Sequence, residues 1–338
     1  MKLVIVVQHR FELWEPPEWF AERLRREFPQ VEVLQFRDYQ AAEPYLPVAD
    51  AMITWSLRPE QFACARRLRW IHSTAAAVHA LLIPEIVASD VVVTNASSVH
   101  GPVVAEHAMA MILALARRLP SAMRYQQKRV WGQEMLWNEH PRPRELGGAC
   151  LGLVGVGAIG GAIARLAAAF EMRLVAVREH PERGLDFLAN WRNDTWHGEA
   201  RVVGFDALDE VVGAADYLVL AAPLTPRTRR LITADRLRQM KPDACLINVS
   251  RGALVDENAM IQVLREGSIG GAALDVFERE PLPADSPLWE LPNVLITPHS
   301  AGFTERMWER HYALYSGELR RFLNDEPLLH LVDKAGGY

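Results

Sequence analysis

The chain has 338 residues, 50% of them hydrophobic and 23% charged, with a formal net charge of −5. That length and balance fit a globular protein of two domains, each large enough to bury its own core. The mild acidity and the absence of a basic stripe argue against a nucleic-acid partner, and short runs such as Arg23/Arg25/Arg26 and Arg227/Arg229/Arg230 read as solvated helix faces.

The three cysteines, Cys64, Cys150 and Cys245, are too few and too scattered for a disulfide framework or a metal centre, so no metal is expected. The opening apolar run, Leu3 to Val7, is too short for a signal-peptide core and reads as a first strand. The longest apolar stretch, around Val103 to Ala116, carries Glu106 and His107 and is too short to span a bilayer. The expectation is a cytoplasmic protein with no membrane partner.

Taken in chain order, residues 3–7 form a continuous apolar run, as in a strand buried on both faces. Residues 16–28 begin with proline and carry Trp19, Phe20, Leu24 and Phe28 at helical spacing. Strand signals follow at 31–36, 51–56, 69–74 and 91–95, with helical segments between them. This alternation predicts an α/β fold with a parallel sheet covered by helices. A long helix is expected over 102–118, between the Gly101-Pro102 start signal and Pro120, followed by an irregular connection over 120–147.

A second alternation starts at 149–156. It runs through a helix at 158–170 and strands at 173–178, 217–222, 244–250, 269–276 and 294–299. An amphipathic helix closes the pattern at 304–323. The second sheet is complete before that helix, so the chain is expected to cross back. The first domain then comprises 1–99 plus 300–338, and the second comprises 100–299.

Gly155, Gly157 and Gly160 match G-x-G-x-x-G, with Ala158 and Ile159 between the last two. The pattern alone is weak, but here it follows an apolar strand and opens a helix. Gly155 permits the tight turn, Gly157 lets a pyrophosphate approach the backbone, and Gly160 lets helix pack on strand. Free amides and the dipole at the helix N-terminus then favour the phosphates. An acidic residue that holds the ribose hydroxyls of NAD belongs roughly 20 residues on. Arg178 stands there, followed by Glu179. An arginine there suits the extra phosphate of NADP, so NADP is the favoured cofactor, with NAD possible.

Arg251, Glu280 and His299 each fall just beyond a predicted strand, where open α/β sheets bind ligands. A guanidinium offers a two-pronged grip on a carboxylate, and an imidazole beside an acid can move a proton near neutral pH.

Five stretches resemble the D-isomer-specific 2-hydroxyacid dehydrogenase family: 151–160, 222–232, 240–260, 270–294 and 296–302. The resemblance implies two Rossmann-like or flavodoxin-like lobes with parallel sheets and an active site in the cleft between domains. It implies NAD(P)-dependent interconversion of a 2-oxo acid and a D-2-hydroxy acid by Arg251, Glu280 and His299. In that scheme His299 gives or takes the proton, Glu280 pairs with it, and Arg251 binds and polarises the substrate. Pro223, Thr228 and Asp275 join the cofactor set, and a homodimer through the long helix is implied. The family holds the substrate carboxylate on backbone amides of a first-domain loop, which here falls at Ala75, Ala76 and Ala77. The same three residues also read as the first turn of a helix.

Trp131, Trp137 and Phe303 are candidates for the substrate wall, whereas Trp308, His72, His100 and His107 read as structural. The stretch 181–201, with Trp191, Trp196 and His197, reads as a surface elaboration. Two other activities share the scaffold: a dehydrogenase of phosphite or formate, and a dinucleotide-sensing corepressor that recruits partners.

Overall fold

The computed structural model describes residues 1–9, 11–184, 186 and 199–337; Trp191, Trp196 and His197 lie outside the described residues. The chain falls into two compact units, Met1–His100 with Thr304–Tyr338, and Gly101–Phe303.

The first unit alternates strand and helix: β1 (Lys2–Val6), α1 (Glu18–Glu27), β2 (Glu32–Phe36), α2 (Tyr39–Ala42), β3 (Ala51–Ile53), α3 (Pro59–Cys64), β4 (Trp70–Ser73), α4 (Pro84–Val87) and β5 (Val92–Asn95). Its strands are all parallel in the order β2-β1-β3-β4-β5. Leu3, Val4, Ile5 and Val6 are fully buried, as an interior parallel strand requires. Pro17 precedes α1, Glu18 occupies its first turn, and Arg25 and Arg26 occupy its last, which suits the helix dipole at both ends.

The second unit begins with three helices, α5 (Gly101–Ala116), α6 (Leu119–Gln127) and α7 (Gln133–Asn138). It continues through β6 (Cys150–Val154), α8 (Ala158–Ala169), β7 (Arg173–Val177), β8 (Ala200–Val203), α9 (Leu208–Ala214), β9 (Tyr217–Leu220), α10 (Ala234–Gln239), β10 (Cys245–Asn248), α11 (Glu257–Arg265), β11 (Gly271–Leu274) and β12 (Val294–Ile296). Its sheet is parallel throughout, in the order β12-β11-β10-β9-β6-β7-β8. The strand order reverses between β6 and β9, which opens a crevice at their C-terminal ends. Helix α5 packs closely on α8 because both present small residues: a Cβ at Gly101 would lie 2.9 Å from the carbonyl oxygen of Ala158.

The chain then returns to the first unit as α12 (Met307–Leu323). Its buried face of Met307, Trp308, Tyr312, Tyr315 and Leu319 joins Phe20, Leu24 and Trp70 in one core. The Trp70 ring stacks on Tyr315 at 5.2 Å and on Phe322 at 5.0 Å. Full burial of each large apolar side chain here contributes about 1.5–3 kcal/mol, and each ring pair adds about 1 kcal/mol more. Beyond α12 the tail pairs with the edge of β5: Asn95 N donates to His330 O (3.1 Å) and Val332 N to Val93 O (2.9 Å). That pairing covers a sheet edge that would otherwise be open.

Several predicted elements need correction. The long helix stops at Ala116 instead of Arg118, because Arg118 turns left-handed (φ 55°). The segment 120–147 is not irregular throughout but holds α6 and α7. Glu139 organises this region, accepting hydrogen bonds from Arg118, Ser121 and Tyr125 at 2.9, 2.7 and 3.2 Å. Strand β8 begins in the last two residues of the stretch read as a surface elaboration and runs past it to Val203. Only Val203 of it is buried, so its apolar signal is weak. Ala75 and Ala76 lie in a bend and Ala77 in irregular chain, not in the first turn of a helix.

Candidate active site

The glycine turn stands at the β6/β9 crevice. Gly155 has φ +95°, and a Cβ there would lie 2.6 Å from the backbone of Ala222, just past β9. A Cβ at Gly160 would collide with the carbonyl oxygen of Gly155, so α8 sits directly on the turn. Gly157 differs: it is exposed, and nothing lies within 4 Å of where its Cβ would be. It is also the N-cap of α8, and no side chain caps that helix. The first-turn amides therefore face open space from a backbone with no Cβ in the way, which fits a dinucleotide pyrophosphate. Ala158 and Ile159, the next two residues, begin the helix.

Beyond the strand ends on the other side of the crevice, three segments carry polar groups. Glu280 is held at both oxygens: Phe277 N donates to Oε1 at 3.0 Å, and His299 Nδ1 meets Oε2 at 2.7 Å. A carboxylate only accepts, so Nδ1 carries the hydrogen and Nε2 is left as the exchangeable nitrogen. The His299 side chain is about half exposed and that of Glu280 about one-third. Burial pushes the Glu280 carboxyl up, but the His299 and Phe277 hydrogen bonds and the charges of His299 and Arg251 outweigh it and hold it below its ordinary value.

Arg251 precedes Gly252, at which any Cβ would fall on the peptide joining Phe277 to Glu278. This contact brings the Arg251 turn against the segment that leads to Glu280. Asn248 secures the turn, donating to Arg251 O at 3.0 Å and accepting from Ser250 N at 3.1 Å. Burial pulls the Arg251 pKa down and the charge of Glu280 partly opposes it. Among the described residues, no carboxylate lies within ion-pairing distance of Arg251; this half-buried cation donates from Nη1 to Ser250 O at 2.6 Å instead.

The remaining predicted residues fall into different surroundings. Pro223 is exposed just past β9. Thr228 is buried, with its hydroxyl donating to Pro223 O (2.7 Å) and accepting from Thr225 N (2.8 Å), so it shapes the turn that presents Pro223. Asp275 is 1% exposed and accepts from Thr297 Oγ1, Ser300 N and Ala301 N. It holds the loop that carries His299, a task the sequence pattern did not reveal. Arg178 is neither solvated nor open: it donates to Asp186 (2.7 Å) and Gly184 O (3.2 Å), while Glu179 pairs with Arg227.

In the first unit, the carbonyls of Ala75 and Ala76 are taken by Ala96 N and the Asn95 side chain. Among the described residues, the amides of Ala76 and Ala77 have no protein partner. Trp308 is core, as its spacing suggested, whereas Trp131, Trp137 and Phe303 are exposed. His72 is buried and bonded to Thr94.

A doubly wound parallel sheet with an open glycine turn at its switch point, and a hydrogen-bonded imidazole–carboxylate pair past the neighbouring strands, points to a class of protein: the nicotinamide-dinucleotide oxidoreductases. Comparison narrows it further. Residues 109–301 match the family described as "D-isomer specific 2-hydroxyacid dehydrogenase, NAD binding domain", and the chain belongs to that family. It is 33% identical to a glyoxylate reductase of Pyrococcus furiosus over 96% of this chain and 90% of the relative. Its fold matches an NADPH-dependent glyoxylate/hydroxypyruvate reductase of Sinorhizobium meliloti, solved with NADP and sulfate, with a TM-score of 0.78, 27% identity and full coverage of both chains (100%). It also matches an NAD-dependent formate dehydrogenase of Staphylococcus aureus, solved with NAD, with a TM-score of 0.72, 25% identity and coverage of 99% and 98%. The protein is thus an NAD(P)-dependent 2-hydroxyacid dehydrogenase. No helix among the described residues is long and apolar enough to cross a membrane.

Proposed function

We propose that the protein reduces a small 2-oxo acid such as glyoxylate or hydroxypyruvate to the 2-hydroxy acid, the D isomer wherever carbon 2 becomes chiral, with NADPH preferred over NADH. The observation that carries the assignment of roles is the 2.7 Å contact between His299 Nδ1 and Glu280, which leaves Nε2 for chemistry. The bound dinucleotide supplies the hydride. Arg251 grips the substrate carboxylate and draws electron density toward the carbonyl oxygen. His299 Nε2 gives its proton to that oxygen, and Glu280 stabilises the imidazolium before transfer. In the first unit, the amides of Ala76 and Ala77 and the bend at Ala75 are the groups assigned to the substrate carboxylate.

Glyoxylate and hydroxypyruvate are chosen because the Pyrococcus and Sinorhizobium relatives bear those activities. NADPH is chosen because Arg178 and Arg183 share a single carboxylate, Asp186, at the end of β7. A 2′-phosphate carries enough charge to displace Asp186 from Arg178. A homodimer through α5 is part of the reading. The exposed Leu119, Met123, Val130, Trp131, Met135 and Trp137 on the helices and turn that follow α5 supply apolar surface for a second copy.

The test is a screen of 2-oxo acids with each reduced dinucleotide, followed by loss of nicotinamide absorbance. Fast oxidation of NADPH by glyoxylate or hydroxypyruvate is expected. Tight dinucleotide binding without turnover on any 2-oxo acid would point instead to a dinucleotide-sensing protein, and faster turnover with NADH would overturn the cofactor preference.

A further inference from the structure

We infer that His107, on α5, is a positioning residue for His299, acting through the hydroxyl of Thr297 and the carboxylate of Asp275. The inference rests on the assignment of His299 as the proton donor.

His299 has a left-handed backbone, φ +52°, although it is not glycine. A residue in that region persists only where its surroundings over-determine it. Asp275 does most of that here. Its backbone carbonyl accepts from His299 N at 2.9 Å. Its Oδ1 accepts from Thr297 Oγ1 at 2.6 Å and from Ser300 N at 2.9 Å, and its Oδ2 accepts from Ala301 N at 3.1 Å. Residues on both sides of His299 are therefore tied to one buried carboxylate.

Of these donors, only the Thr297 hydroxyl can rotate away. Its direction is set by the ring of His107, whose Nε2 lies 3.0 Å from Thr297 Oγ1 and 3.7 Å from Asp275 Oδ1. Asp275 can only accept, so Thr297 donates to it. Thr297 Oγ1 must then accept from His107, which places a hydrogen on Nε2. The chain His107 Nε2–H, Thr297 O–H, Asp275 carboxylate runs in one direction, and each link polarises the next. With its acceptor side filled, the hydroxyl stays aimed at Asp275. Removing His107 releases the rotor and loosens the backbone turn beside the proton donor. His107 touches neither His299 nor Glu280, so the effect falls on alignment during proton transfer and leaves the glycine turn untouched.

The test compares His107→Leu, His107→Gln and Thr297→Val with the parent enzyme, with His299→Asn in parallel. Measurements are kcat, KM for the 2-oxo acid, dinucleotide affinity and the melting temperature. His107→Leu is expected to lower kcat about tenfold or more, with KM and dinucleotide affinity within about twofold. His107→Gln, whose side-chain amide can replace the Nε2–H donor, should recover most of the loss. Thr297→Val should resemble His107→Leu, and the double variant should lose no more than either alone, because both break one chain. An unchanged kcat in His107→Leu overturns the inference. So does a glutamine variant no better than leucine, or losses that merely track a fall in melting temperature. Should His107→Leu fail to fold, Thr297→Val exchanges only a hydroxyl for a methyl and decides the matter by its kcat. If His299→Asn keeps full activity, the proton-donor assignment has failed instead. If His299→Asn is inactive while His107→Leu is not impaired, only the present inference falls.

Discussion

Two glycines in one turn make opposite demands, and alanine at each separates folding from binding. At Gly155, alanine must adopt a left-handed backbone at φ +95°, which costs about 1–2 kcal/mol. Its Cβ must also fit 2.6 Å from the Ala222 backbone, so two strand ends must part, at about 1–3 kcal/mol. The sum is about 2–5 kcal/mol, or a melting temperature lower by roughly 5–15 °C for a unit of this size. At Gly157 the backbone is extended (φ −91°), and nothing lies within 4 Å of the new methyl group. The cost to folding is below about 1 kcal/mol, the ordinary difference between glycine and alanine at an N-cap. The methyl group does, however, occupy the approach to the α8 amides. Loss of one charged hydrogen bond there corresponds to roughly 10–100-fold weaker dinucleotide binding. The assays are a thermal melt without ligand and a calorimetric titration with NADPH and NADH. A Gly157→Ala protein that binds both as tightly as the parent would refute the placement of the pyrophosphate. A Gly155→Ala protein that melts normally would refute the steric argument.

Other expectations follow from the ion pairs and buried bases. Asp186→Asn frees Arg178 and should strengthen NADPH binding while leaving NADH unchanged; equal change for both would detach Arg178 from the ribose phosphate. Arg178→Asp should shift the preference toward NADH in the ratio of kcat/KM values. Arg251→Lys keeps the charge but loses the fork, and kcat/KM for the 2-oxo acid should fall about 100–1,000-fold, with dinucleotide affinity preserved. Burial pulls the His72 pKa from 6.5 down to about 3. Above pH 6.5 the ring is neutral in both folded and unfolded chains and its shift contributes nothing; below that, the unfolded chain gains a proton that the folded one refuses. Stability should therefore fall from pH 6.5 down to about pH 3, reaching a loss of roughly 2 kcal/mol from this residue by pH 5. Urea midpoints at pH 7 and pH 5 check this, and a His72→Asn variant with an undiminished acid dependence would contradict it.

Much of the scaffold was readable because its signals are local. Apolar runs such as Leu3–Val6 and Leu151–Val154 mark interior parallel strands, and the glycine turn lies between strand and helix as its spacing requires. The positions of Arg251, Glu280 and His299 after successive strands place them at one end of one sheet. What escaped depends on partners distant in sequence or on loop course. Strand β8 has one buried residue and no alternation to read. Helices α6 and α7 hang on Glu139, whose bonds to Arg118 and Ser121 join residues far apart in the chain. Arg178 was read by position alone, but Asp186 captures it through a turn that no pattern announces. His107 and Thr297 are 190 residues apart, so neither suggests the other.

The return of α12 to the first sheet sets an order of events during synthesis. Trp70 and Phe20 leave the ribosome long before Tyr315 and Leu319, the side chains that cover them. The nucleotide-fold unit between them is contiguous from Gly101 to Phe303 and can close as soon as it emerges. The nascent chain must therefore carry an uncovered aromatic surface at its N-terminal end until the last helix arrives. A chain released without residues 307–338 would present that surface to chaperones, and the full chain would not.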